Sequence, residues 1–101
     1  MINHVVLFKL KEFDTLEEKS AMLLDIKSKL LALEDVIEEL KYIEVGLNYS
    51  LESSSFDVCL ISHFESFEDL DRYQVHPEHV KVGGLIKSVA VSRAAVDYKI
   101  C

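Results

Sequence analysis

The run Ile2-Asn3-His4-Val5-Val6-Leu7-Phe8-Lys9-Leu10-Lys11 constrains the fold more than any other stretch of the chain. It is rich in β-branched and aromatic residues and predicts a strand. Alternate side chains of a strand leave opposite faces, so Ile2, His4, Val6, Phe8 and Leu10 share one face, while Val5 and Leu7 put apolar atoms on the other. A strand that is apolar on both faces at its centre is covered on both. Helices of the same chain can supply one cover. The second must come from elsewhere.

The remaining pattern supplies the helices. Asp14 and Thr15 offer caps, and Thr15-Leu16-Glu17-Glu18 fits a capping box in which Glu18 reaches back to the cap N–H. Leu16, Leu23, Ile26, Leu30 and Leu33 follow at helical spacing, with Lys19, Asp25, Lys27 and Lys29 mostly opposite. This predicts a long amphipathic helix from about Thr15 to Leu33, then a short helical turn or connector from Glu34 to Leu40. Lys41 to Asn48 alternates as a second strand, with Ile43, Val45 and Leu47 on one face. Asn48 to Ser55 is polar and serine-rich, as a loop is. Phe56 to Glu65 alternates again, with Cys59, Ile61 and His63 opposite Phe56, Val58, Leu60 and Phe64.

Ser66 caps the next helix, which carries Leu70 and Tyr73 and breaks at Pro77, the only proline. Pro77 suits the first turn of a further short helix, Glu78 to about Lys87, loosened or bent at Gly83-Gly84. Ser88 to Ile100 closes as a long strand. Strand, helix, strand, strand, helix, strand is the order of the α+β, ferredoxin-like split βαβ arrangement. It predicts a four-stranded antiparallel sheet with helices on one face.

A length of 101 residues predicts one domain over 1–101, since two would leave about 50 residues each, too few for separate cores. Half of the residues are hydrophobic, which excludes a wholly disordered chain. No run reaches the roughly 18 apolar residues of a membrane helix. The start shows no secretory signal, and Cys59 and Cys101 make no disulfide framework, so a cytoplasmic location is expected. A formal charge of −7, with lysines spread among carboxylates, argues against nucleic acid and anionic membranes as partners.

The most distinctive chemistry lies in Tyr73-Gln74-Val75-His76-Pro77-Glu78-His79-Val80. It places a phenol, two imidazoles and a carboxylate around a helix junction. Imidazole exchanges protons near neutral pH, and a tyrosine hydroxyl can donate to a carbonyl or a developing oxyanion. Against this stands a structural reading, with Tyr73 as helix packing and His76 as a cap. His76 and His79 are spaced as metal ligands could be, but no third Cys or His lies nearby in sequence, so no metal is expected. His4, on an apolar strand face, reads by itself as a core histidine, and His63 as surface or interface. There is no Gly-x-Gly-x-x-Gly, P-loop, Cys-x-x-Cys or Gly-x-Ser-x-Gly, the usual markers of dinucleotide, phosphoryl-transfer, redox and serine-hydrolase chemistry.

The opening His4-Val5-Val6-Leu7-Phe8-Lys9-Leu10-Lys11, together with Phe64 to Val80 and its Tyr-x-x-His-Pro-x-His pattern, resembles the stress-responsive A/B barrel (Dabb) family of dimeric α/β barrels. The resemblance covers nearly the whole chain. It implies ferredoxin-like protomers paired through their helix-free sheet faces as a homodimer, which would supply the second cover that Val5 and Leu7 require. A plant branch of the family cyclises a linear polyketide by aldol condensation without a cofactor. The resemblance to it implies His79 as general base, Tyr73 as donor to the carbonyl oxygen, and His4 in the pocket lining. With it go Val6, Phe8, Met22, Ile26 and His76 as pocket residues and no cofactor. Met22, Ile26 and Ala90 stand where that branch carries aromatic residues. Two functions follow: a dimeric domain binding a small organic molecule between sheet and helices, or a cofactor-independent cyclase or isomerase of a small carbonyl compound.

Overall fold

A computed structural model describes residues 1–50 and 55–100 of the chain. Residues 51–54 of the expected serine-rich loop, and Cys101, lie outside the described residues. The element order is β1 (Ile2–Leu10), α1 (Leu16–Ala32), a 3-10 turn (Leu33–Asp35), β2 (Tyr42–Leu47), β3 (Val58–Phe64), α2 (Phe67–Val75), α3 (Pro77–Val89) and β4 (Ala90–Lys99). The strands form one sheet in the order β2-β3-β1-β4, and every neighbouring pair is antiparallel. This is the four-stranded ferredoxin-like arrangement that the sequence order predicts.

Burial follows the alternation of β1. Ile2, His4, Val6, Phe8 and Leu10 are buried, while Asn3, Val5, Leu7 and Lys9 are half-buried. β3 repeats this, with Val58, Leu60, Ser62 and Phe64 buried and Cys59, Ile61 and His63 half-buried. The buried strand residues form one core with Leu23, Ile26 and Leu30 of α1, Leu70 and Tyr73 of α2, and Val82, Ile86 and Val89 of α3. All three helices therefore cover the same face. The other face has no cover in the protomer. The register places Val5, Leu7, Cys59 and Ile61 there, beside Val96 and Tyr98, which are 54% and 46% exposed. His63 stacks on Tyr42 at 4.8 Å, also on that face.

Local chemistry sets the helix ends. Thr15 Oγ1 accepts from the Glu18 N–H, and Ser66 Oγ from the Asp69 N–H, each at 3.1 Å. His76 is extended, with φ −62° and ψ 134°, as a residue before proline prefers, so it ends α2 and starts α3. Three sequence expectations are corrected here. Leu16 is 63% exposed rather than part of the apolar stripe, whose buried residues begin at Leu23. α3 runs unbroken through Gly83-Gly84 to Val89, so β4 begins at Ala90 and not Ser88. Neither glycine takes a positive φ, and burial of Val82, Ile86 and Val89 on either side holds the helical path. The first and third strands are also shorter than expected, ending at Leu10 and starting at Val58.

Asp57 anchors the end of β1. It is fully buried, and its Oδ2 accepts from the Leu10 N–H at 2.8 Å. Its Oδ1 lies 3.2 Å from Lys19 Nζ of α1, off the line of a hydrogen bond, so that contact is an ion pair. β4 is the exception to burial, since every residue from Val91 to Ile100 is exposed. It lies at the sheet edge, beyond the helices. No helix among the described residues is long and apolar enough to cross a membrane.

Candidate functional site

The uncovered edge at β4 leaves a cavity of about 350 Å³ between the sheet and the helices. β1 contributes His4, Val6 and Phe8 to its wall, and α1 contributes Leu30. His79, Gly83 and Lys87 line it from α3, and Arg93 from β4. Two other hollows carry no imidazole: one between α1 and α3 around Val36 and Val82, and one where β2 ends and β3 begins, around Leu47, Asp57 and Cys59. Size does not single out the site, since the last is larger at about 500 Å³. Acid–base residues do.

Tyr73 stands behind the two imidazoles. Its ring centre is 4.4 Å from that of His79 and 6.5 Å from that of His4, and Phe64 packs beside it at 4.8 Å. Tyr73 is fully buried, and its hydroxyl has no hydrogen-bond partner among the described residues. A buried hydroxyl without a partner is uncommon and costly. Burial also pushes its pKa up to about 12, so it remains a donor at physiological pH.

His79 is oriented by the backbone. Its Nδ1 lies 3.1 Å from the Gln74 carbonyl oxygen. A carbonyl only accepts, so Nδ1 carries the proton and the neutral ring keeps its lone pair on Nε2. Burial holds the His79 pKa below its ordinary value; the Gln74 carbonyl pulls the other way, and the charges of His4, Arg93 and His76 add to the lowering. The ring is a neutral base at pH 7.

His4 is fixed differently. Its Nδ1 meets the carboxylate of Asp97, its direct partner across the β1–β4 pairing. The carboxylate accepts from Nδ1–H and fixes the orientation of the ring. Sequence reasoning misses Asp97, because only strand register brings residues 93 positions apart together. It also misses Arg93, for the same reason, and Gln74, whose contribution is a main-chain carbonyl.

Of the expected pocket residues, His4, Val6, Phe8 and His79 line the cavity, with Tyr73 packed on two of them. Met22, Ile26 and His76 are not among its lining residues. Ile26 is core at 1% exposure, and Met22 packs half-buried against that core. His76 Nδ1 accepts from the Glu78 N–H at 3.1 Å, closing the start of α3 as a cap. Among the described residues, no group of three or more His, Cys, Asp or Glu side chains is placed to hold a metal ion.

The model of the stress responsive A/B barrel domain matches residues 2–100. The chain belongs to this family. The stress-response A/B barrel domain-containing protein DABB1 of Arabidopsis thaliana is 32% identical over 101 residues, covering 97% of this chain. The chain spans about half of that relative, 46% of its length. A solved dimeric protein of unknown function with a ferredoxin-like fold, from Bacteroides fragilis, is 36% identical with a TM-score of 0.89, over 98% of this chain and 95% of its own. The hydroxynitrile lyase of Passiflora edulis is similar in fold, at 15% identity and a TM-score of 0.81, over 99% of this chain and 93% of its own.

Proposed function

We propose that this A/B barrel chain acts as a homodimer whose cavity binds a small carbonyl compound and moves a proton on it. The observation that carries the reading is the neutral His79 ring in the cavity wall with the Tyr73 ring packed 4.4 Å behind it, its buried hydroxyl without a partner among the described residues. A base without a proton beside a donor without an acceptor suits enolisation. The carbon–hydrogen bond next to the carbonyl breaks, its proton passes to His79 Nε2, and the electron pair moves to the carbonyl oxygen. Tyr73 donates to that oxygen as charge develops, and the reverse step returns the proton. Such an enolate is the nucleophile of aldol-type cyclisation and the intermediate of isomerisation.

Fold analogy supports the reading only in a general way: a lyase of hydroxynitriles stands on the same architecture. The dimer has firmer support in the bacterial relative, described as dimeric, and in the apolar helix-free face. Pairing through Val5, Leu7 and Ile61 would close the barrel and give β1 its second cover.

The test is deuterium incorporation at the carbons next to the carbonyl of phenylacetone in heavy water, followed by NMR. The expected result is exchange well above that of free imidazole at equal concentration, lost in His79→Gln with the fold intact. Binding of phenylacetone without exchange would reduce the function to binding, the second reading, which the complete burial of Tyr73 favours.

A further inference from the structure

The two ends of the cavity differ chemically, and two elements show it independently. Along β1, His4 and Phe8 line the cavity four residues apart, about 13 Å at the rise of a strand. Along α3, His79, Gly83 and Lys87 line it at successive four-residue steps, about 12 Å from first to last. The Lys11 N–H donates to the Val89 carbonyl at 2.7 Å, so the end of α3 lies beside the end of β1. His4 and His79 therefore mark one end, and Phe8 and Lys87 the other. Arg93 is the partner of Phe8 across the β1–β4 pairing and joins Lys87 at that outer end. A second hollow shares Phe8, Ile86, Lys87 and Arg93 and continues along Ala90 to Ser92, which opens the outer end to solvent.

This mouth is positive in an acidic chain. The chain carries a net −7, and four of its eleven Lys and Arg side chains pair with a carboxylate among the described residues: Lys19 with Asp57, Lys29 with Asp25, Arg72 with Asp69 and Lys81 with Glu78. Lys87 and Arg93 make no hydrogen bond or ion pair among the described residues. Asp97, the acid four residues beyond Arg93 on the same strand face, is taken by His4. The middle of the cavity is left open by a missing side chain. A Cβ placed on Gly83 would meet nothing within 4 Å, and glycine weakens a helix interior, so packing does not require it there.

We propose that the cavity takes an organic anion: an oxo acid whose carbonyl lies at the His4–His79 end, whose apolar body lies against Val6, Leu30, Leu60 and Ile86, and whose carboxylate is held by Lys87 and Arg93. The inference rests on the reading of this cavity as a carbonyl-binding site. The guanidinium forks onto a carboxylate through two parallel hydrogen bonds, and the ammonium adds a mobile point charge. Both side chains are exposed, so their attraction is screened by salt.

Levulinate and 6-oxoheptanoate, each beside its neutral primary amide, are titrated against the protein by calorimetry. At least one acid is expected to bind about five- to tenfold tighter than its amide. That preference shrinks at about 0.5 M salt. It disappears in the double variant Lys87→Gln/Arg93→Gln, in which acid and amide bind alike. Equal affinities of acid and amide, or a preference that survives the double variant, overturn the anion assignment and leave the carbonyl-binding reading standing. Gly83→Leu examines that reading separately: it fills the middle of the cavity with a good helix former and must abolish acid and amide binding alike, with the circular dichroism spectrum unchanged. Binding that persists in Gly83→Leu, or the failure of all four compounds to bind the wild type, overturns both.

Discussion

At the residue scale, the site rests on two side chains held in states that water would not favour. Tyr73 keeps a hydroxyl buried without a partner among the described residues, which costs about 1–3 kcal/mol. Tyr73→Phe removes that cost with the ring packing intact, so the variant should be about 1 kcal/mol more stable in urea unfolding yet slower in ketone exchange. A less stable variant would mean that the hydroxyl has an unseen internal partner. His79 makes a pH prediction. Its folded pKa lies below the ordinary value of about 6.5, chiefly through burial. As pH falls through 6.5 the unfolded chain takes up a proton that the folded chain resists, so stability must decline there. Above that pH both forms are neutral and the residue contributes no slope. Exchange activity should fall on the same acidic side, and His79→Gln should flatten the stability profile between pH 6.5 and the lower folded value. Tyr73 sets the opposite edge: with its pKa pushed up to about 12, stability is lost as pH rises above about 10. The tyrosine and the two histidines are visible in the sequence as chemistry-bearing residues. The orientations of the His79 and His4 rings are not, because the Gln74 carbonyl and the Asp97 carboxylate that fix them reach them through the helix turn and the strand register.

At the scale of elements, α1 is pinned to the sheet by one charged contact as well as by its leucines. Lys19 keeps only 15% of its side chain exposed and Asp57 none. Removing one partner of a buried pair leaves the other charge without compensation. Asp57→Ala should therefore cost about 3 kcal/mol or more in chemical unfolding, since it also strips the acceptor from the Leu10 N–H. A loss below about 1 kcal/mol would show that the pair is solvated in solution. The helix itself is legible from Thr15 and the spacing of Leu23, Ile26 and Leu30, and its cap is where the capping box places it. The pair is not legible, because nothing local marks Asp57 as buried. Gly83-Gly84 mislead for a related reason: local propensity argues for a break, while burial of Val82 and Ile86 on the sheet holds the helix. His76 carries both meanings in sequence, ligand contact and cap, and only its hydrogen bond to the Glu78 N–H decides for the cap.

At the scale of the whole molecule, the uncovered sheet face is the surface that the proposed homodimer would cover. Val5, Leu7, Ile61 and Val96 form an apolar surface between two edge strands, an aggregation hazard unless another chain covers it. Sedimentation should report a dimer at micromolar concentration, and Leu7→Glu should convert it to monomer, because a buried glutamate without a partner costs more than a dimer contact recovers. A wild-type monomer at that concentration would sink the pairing.

Alternation in Ile2 to Leu10, the Thr15 and Ser66 caps and the position of Pro77 determine by themselves the order of elements and the faces they bury, since each depends on neighbours within one turn or one strand. With the order of elements, the ferredoxin-like sheet follows, and with the motif from Tyr73 to His79, the family. The cavity was decided only by the tertiary structure. Its wall joins residues of β1, α1, α3 and β4 that are neighbours only once β4 lies against β1, and the positions of Asp97 opposite His4 and Arg93 opposite Phe8 follow from a pairing register that no local pattern encodes.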